Sequence, residues 1–296
     1  MSTLEATPAS LAPAGAAHAR RPSVLTIWRW ELRKLVSQKR TYLGLSLAVA
    51  IPLIFVIVEN LRGRREGAGH GQGSIFMSHI TQSGLATPVL VLLFLSVFML
   101  PLIAALVAGD IVASEDGNGT LKTILTRSAD RGQVFAAKTL AAMSYATLAV
   151  FCSAVVATAA GVASWGFHDV ITFSGSVVPA SEGLALVFAA NLCYLIALLS
   201  VACIGVLLST ATRNSAASVV GTIGIVILLY IVSGIPGIEG VKPYLLTEQF
   251  QNWQGLLRTP TDWAPIGHSA WVCALYAVPA LLAGYLVFLR RDVAGG

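Results

Sequence analysis

Six stretches of this 296-residue sequence hold no charged residue at all: Thr41–Val58, Gly67–Gly109, Thr139–His168, Gly183–Thr212, Asn214–Ile238 and Trp263–Leu289. A bilayer core of about 30 Å is crossed by about 20 mostly apolar residues in helix. Each stretch reaches or nears that length, Thr41–Val58 being the shortest. In lipid the backbone polar groups must be satisfied within the segment, and the alternation of a β-barrel is missing, so the stretches are expected to be helices. Charged residues make up only 11% of the chain, against about a quarter in an ordinary soluble domain. The expected fold class is an all-α membrane protein with six transmembrane helices at about 42–58, 85–109, 134–161, 183–209, 216–233 and 268–289, forming one domain over 41–291.

An even number of spans puts both termini on one side. With that side cytoplasmic, the inside set is Arg20, Arg21, Arg29, Arg33, Lys34, Lys39, Arg40, Lys122, Arg127, Arg131, Lys138, Arg213, Arg290 and Arg291, and the outside set is Arg62, Arg64, Arg65, Lys242 and Arg258. Fourteen against five follows the positive-inside rule, so the expected location is the cytoplasmic (inner) membrane. Arg62–Arg65 runs against the rule, but seven basic residues precede the first span and dominate its insertion. The net charge of +5 is read as contact with anionic membrane lipid and not with nucleic acid. Residues 1–22 form an Ala/Pro/Ser/Thr tail without the apolar core of a secretory signal, expected to be disordered and cytoplasmic.

Residues 23–40 are expected to form an amphipathic helix in the membrane interface. Leu25, Trp28, Leu32, Leu35 and Val36 recur at helical spacing, with Arg29, Arg33, Lys34 and Gln38 opposite. Further on, Pro52 lies inside the first span and Pro88 and Pro101 inside the second. Ser74–Gly84 is expected to be a short external helix before the second span. Before the sixth, Pro243–Leu257 places Leu246, Phe250, Trp253 and Leu257 on one α-helical face, predicting a short helix on or dipping into the outer leaflet. All four cysteines lie in apolar stretches and read as small buried hydrophobes.

The segment 110–133 is the most informative loop. Gly117, Asn118 and Gly119 break the helix leaving the membrane, Thr120 caps a short helix, and Ser128 caps the next, with Asp130 in its first turn. The short helix carries Leu121, Ile124 and Leu125 into the cytoplasm with nothing of its own chain to pack on. It is expected to dock in a groove on another protein, the alternative being a plain structured connector.

Glu115, Gly119, Thr120, Leu121, Lys122, Ile124, Leu125, Arg127, Arg131 and Lys138 together resemble the type-2 ATP-binding-cassette (ABC) transporter permease family. Trp30, Glu31, Leu32, Arg33 and Lys34 match that family's Trp-Glu-Leu-Arg-Lys helix before the first span. Ser128–Ala129 departs from it, since many relatives carry a proline just before the Arg. The resemblance implies a coupling helix at about Gly119–Arg127 that docks on a separate ATPase subunit. The interfacial helix, with Trp28, lies beside it, and Glu115 and Arg131 brace the junction. It also implies a second permease copy or homologue, with spans 1 and 5 near the contact. Ala217, Gly221 and Gly224 are the candidate contact residues there, small enough for close approach.

No phosphate-binding G-x-x-x-x-G-K-[ST] motif occurs, so ATP and Mg would be held by the partner and no cofactor or metal by this chain. Nor do H-E-x-x-H, G-x-S-x-G or C-x-x-C occur, and no catalytic residue is assigned. Asp110, Lys138 and Glu182 are placed at span ends, and the expected span interiors are free of charge, which disfavours ion coupling. The leading expectation is an export permease subunit that is not itself an enzyme. The competing classes are a stand-alone secondary transporter, a non-transporting assembly protein, and an intramembrane hydrolase using a span serine with His268.

Overall fold

The computed structural model describes residues 22–66, 83–117, 119 and 130–290. The chain is a mostly helical multi-pass membrane protein. Helix α1 (Val24–Val36) leads into α2 (Lys39–Glu66), followed by α3 (Ala86–Leu95), α4 (Met99–Ala108), the short α5 (Ala113–Gly117) and α6 (Arg131–Trp165). A two-residue hairpin, β1 (Val170–Ile171) with β2 (Val177–Val178), joins α6 to α7 (Ala180–Thr212). Helix α8 (Ser215–Ser233), two 3-10 helices (Lys242–Tyr244 and Glu248–Leu257) and α9 (Ala264–Leu289) complete it. Residues 1–21 of the expected tail, 74–82 of the expected external helix and 120–127 of the expected coupling helix lie outside the described residues.

Five helices are long and apolar enough to cross a membrane, and α3 with the helix that follows makes a sixth crossing if counted as one bent span. All five exceed their predicted lengths, and the longest are α6 with 35 residues and α7 with 33, about 50 Å each at 1.5 Å per residue. Their ends therefore project beyond a 30 Å hydrocarbon layer. Helix α7 is apolar on every face and is the central element, with 67% of its apolar stretch buried against 22% for α8. Leu43, Ile54, Ile57, Val220, Ile231, Trp271, Leu275 and Leu282 point outward from α2, α8 and α9. A surface this apolar matches hydrocarbon and not water.

The second span differs from the expected single helix. It bends by 61° at Ser96–Phe98, and the proline positions permit a break there. Pro88 and Pro101 each stand third in their half-helix, where a missing N–H costs no helical bond. The ring of Pro101 would collide with the carbonyl of Val97, four residues back, which lies in the break.

Close helix crossings use glycine. A Cβ on Gly84 would overlap the backbone of Gly161, and one on Gly161 would overlap the Gly84 carbonyl and Thr87. A Cβ on Gly205 would lie 2.9 Å from Ala108 where α7 crosses α4. Helices α7 and α8 meet at a tight turn. Asn214 caps α8 by accepting from the Ala217 N–H at 3.0 Å, and Arg213 takes a left-handed φ of 57°.

The segment before the last span is also a correction. The predicted outer-leaflet helix is the 3-10 helix Glu248–Leu257, packed against α7 and α9. At three residues per turn, Phe250, Trp253 and Leu256 fall in one row, and these three with Leu246 and Leu257 are buried in protein. Their apolar face meets the bundle instead of lipid.

Candidate functional site: a buried ion-pair cluster at one end of the bundle

Helix α1 begins at Ser23, whose hydroxyl accepts from the Thr26 N–H at 3.3 Å, and places Arg33 and Lys34 in its last turn, where positive charge complements the helix dipole. It docks on α6 through Ile27, Glu31 and Leu35, all buried, and the Trp28 indole donates to the Ser144 hydroxyl at 3.1 Å. The predicted faces are thus rotated. Leu25 (55% exposed) and Val36 (61%) look outward, while Glu31, which neither predicted face included, is inside. The cause lies on α6, where a buried lysine requires a carboxylate.

That lysine is Lys138, two turns inside α6 and 0% exposed. Its Nζ lies 2.8 Å from Glu31 Oε1, 2.6 Å from Glu115 Oε2 and 3.4 Å from the Ile111 carbonyl. Glu115, on α5, also pairs with Lys34 of α1. Two carboxylates and two amines balance in charge, as burial demands. Beside them Asp110 is buried, pairs with Arg40 of α2 and accepts from the Ser215 hydroxyl at the start of α8. Asp116 lies 3.7 Å from Arg213. The Ser209 hydroxyl of α7 accepts from the backbone N–H groups of Val112 and Ala113, each at 3.0 Å.

Three acidic residues on one short stretch, 110–116, therefore tie α2, α1, α6 and the α7–α8 turn together. Immediately after it the chain enters residues 118–130. Among the described residues no group of three His, Cys, Asp or Glu is placed to hold a metal. What the arrangement can do is mechanical: transmit a displacement of α5 to four other helices. Replacing Ser209 by valine leaves two buried N–H groups unpaired. That change is expected to cost about 1–3 kcal/mol, measured by thermal unfolding in detergent.

Of the residues named from sequence, the structure brings Glu31, Lys34, Glu115 and Lys138 into one cluster. Trp28 and Leu32 pack at its side, and Trp30 and Arg33 face outward. Arg131 is elsewhere, its guanidinium donating to the last carbonyls of α9 at Leu289, 2.8 Å away. Asp130 occupies the cap position before α6, where Ser128 was expected to cap. Gly119 has a left-handed φ of 70°, in keeping with a helix break there. Thr120, Leu121, Lys122, Ile124, Leu125 and Arg127 lie outside the described residues. Ala217 and Gly224 are exposed on α8, whereas Gly221 faces Leu208 of α7.

Sequence reasoning put Lys138 and Asp110 at span ends and missed that they are buried. It also missed Arg40 and Ser209. The available signal was a lysine within an apolar run, which is costly unless paired. A comparison with curated proteins finds no match. A family described as a protein of unknown function (DUF2705) matches residues 45–294, from the first span to the end of the last. That match covers most of the sequence, and the chain belongs to the DUF2705 family.

Proposed function

We propose that the chain is the membrane subunit of an ATP-driven exporter, with six spans and both termini on the cytoplasmic side of the cytoplasmic membrane. The observation that carries the reading is the ion-pair cluster, which ties α1 and α5 together directly beside the Gly-Thr-Leu-Lys segment. A separate ATPase that holds ATP and Mg would push on residues 119–127. Because Glu115 on α5 is paired with α1 and α6, and Asp110 just before α5 is paired with α2, the push would reach the spans. A second copy or homologue of this chain would complete the pathway.

Charge supports the orientation. Arg29, Arg33, Lys34, Lys39, Arg40, Arg131, Lys138, Arg213 and Arg290 belong to the cluster end of the helices, and Arg62, Lys242 and Arg258 to the other.

The test is purification of the tagged chain from its native membranes. A Walker-motif ATPase should co-purify, and Leu121→Asp or Leu125→Asp should abolish its coupled hydrolysis, since each buries a charge in an apolar contact. Absence of any ATPase, or normal assembly and hydrolysis in both variants, would overturn the proposal.

A further inference from the structure

At the end of the bundle away from the ion-pair cluster, a cleft of about 550 Å³ opens among Glu239, Lys242, Glu248, Gln249, Asn252 and His268. Its inner wall is the 3-10 helix Glu248–Leu257. With three residues per turn, this helix sorts its side chains into rows. Phe250, Trp253 and Leu256 enter the core. Gln249 and Asn252 face the cleft, joined by a bond from Asn252 Nδ2 to Gln249 Oε1 of 2.6 Å. The third row is Glu248, Gln251 and Gln254. It starts in the cleft at Glu248 and leads to the broken second span.

There the hydrogen bonds form a chain. Gln254 Nε2 donates to Gln251 Oε1 at 2.6 Å, Gln251 Nε2 to Ser96 Oγ at 3.1 Å, and Ser96 Oγ to the Leu93 carbonyl at 3.2 Å. The Tyr194 hydroxyl donates to the Ser96 carbonyl at 3.0 Å. Ser96 is ten residues beyond Ala86 and fourteen before Asp110, about 15 and 21 Å along the helix path. It therefore lies within the depth of the hydrocarbon layer.

Irregular backbone at that depth persists only where protein or water covers it. A glutamine amide has two donor hydrogens and an acceptor oxygen with two lone pairs. Among the described residues Gln254 makes one such bond, and both it and Gln251 are half-buried. Facing hydrocarbon, the remaining donors and acceptors would each be costly. Facing water, they are satisfied.

We propose that the cleft continues past Glu248 to Gln251 and Gln254 as a hydrated inlet, closed beside Gln251 by the fully buried Ser96, and that its inner end takes an uncharged hydrogen-bonding group such as a hydroxyl or amide. The chemistry of the walls changes along it. Charged side chains stand in the outer cleft, while hydroxyls and amides alone supply the polar contacts at the break. A discontinuous span with polar side chains turned toward it is where membrane proteins accommodate polar ligands.

Thiol accessibility tests this in the full chain held in lipid nanodiscs, where both faces meet water and no ATPase is needed. Gln254→Cys, Gln251→Cys and Ser96→Cys are each treated with hydroxyethyl, trimethylammonium-ethyl and sulfonatoethyl methanethiosulfonate. Rates are normalised to Arg258→Cys on the exposed loop, with Leu275→Cys on the apolar outer face as the slow reference. Only a thiolate reacts, and a thiol in apolar surroundings stays protonated. Gln254→Cys and Gln251→Cys should react within about tenfold of Arg258→Cys, and about a hundredfold faster than Leu275→Cys. At Ser96→Cys the neutral reagent should be the fastest.

Rates at positions 251 and 254 no greater than at 275 overturn the inlet. Charged reagents faster than the neutral one at position 96 overturn the ligand class. Should Ser96→Cys or Gln251→Cys fail to fold, Gln254→Cys decides the inlet and Asn191→Cys, near Tyr194 on α7, replaces position 96. Either result leaves the co-purification test for the ATPase partner untouched.

Discussion

Replacing Lys138 by methionine is expected to destabilise the protein by about 3–5 kcal/mol. The substitution keeps the volume of the side chain and removes the amine, leaving Glu31 and Glu115 facing each other in a site from which water is excluded. Lys34 still neutralises Glu115, but nothing of comparable proximity remains for Glu31. The double variant Lys138→Met with Glu31→Gln should therefore recover a large part of the loss. It removes the orphaned charge while the Lys34–Glu115 pair persists. Thermal unfolding in detergent, read by tryptophan fluorescence, measures both. A single variant as stable as the parent would show that the cluster is solvated and carries no mechanical tie.

The second large effect is expected at Gly161. Alanine there adds a methyl group that meets the Gly84 carbonyl and the Thr87 side chain, and the nearest obstacle is backbone, which cannot rotate aside. Overpacking of this kind costs about 1–3 kcal/mol, and the rigid neighbour places Gly161→Ala at the upper end. Gly84→Ala faces the same contact from the turn that precedes α3. Once either variant has forced α3 and α6 apart, the second should add much less, so the double-mutant cycle should show strong coupling. Gly224→Ala is the control. Nothing lies within 4 Å of the added carbon, and alanine favours helix by about 1 kcal/mol over glycine. Loss of stability at Gly224 would mean that a second chain occupies that face.

How much of this could be read without coordinates differs by element. The apolar windows place α2, α6, α7, α8 and α9 correctly, because a charge-free run of about 20 residues has few alternatives. Their ends are less visible. Helix α6 runs to Trp165 and α7 begins at Ala180, since helical hydrogen bonds continue past the lipid boundary wherever the next turn has packing. The break at Ser96–Phe98 needed more than proline positions. Proline permits both a kink and a fresh start, and the choice was made by Tyr194 and Gln251, which bind Ser96 from sequence-distant segments.

The 3-10 helix Glu248–Leu257 shows how period misleads. Leu246, Phe250, Trp253 and Leu257 fit an α-helical face, yet Phe250, Trp253 and Leu256 fit a three-residue turn equally well. Both sets are buried against α7 and α9, so the choice of period rests on tertiary packing and not on which residues are apolar. In α1 the rotation has the same origin. Periodicity ranks faces by hydrophobicity, and the glutamate facing inward is invisible to it because its partner lies 107 residues away.

The sequence by itself determined that this chain is a multi-pass membrane protein and where five of its long apolar helices run. Those properties depend on local composition and run length, which no partner is needed to read. Tertiary structure alone decided that Lys138 is buried, that Glu31 and Glu115 close on it, and that the 3-10 segment packs into the bundle beside the broken span. These are encounters between distant residues. Their free energy comes from pairing charges and amides away from water, and it exists only once the helices have met.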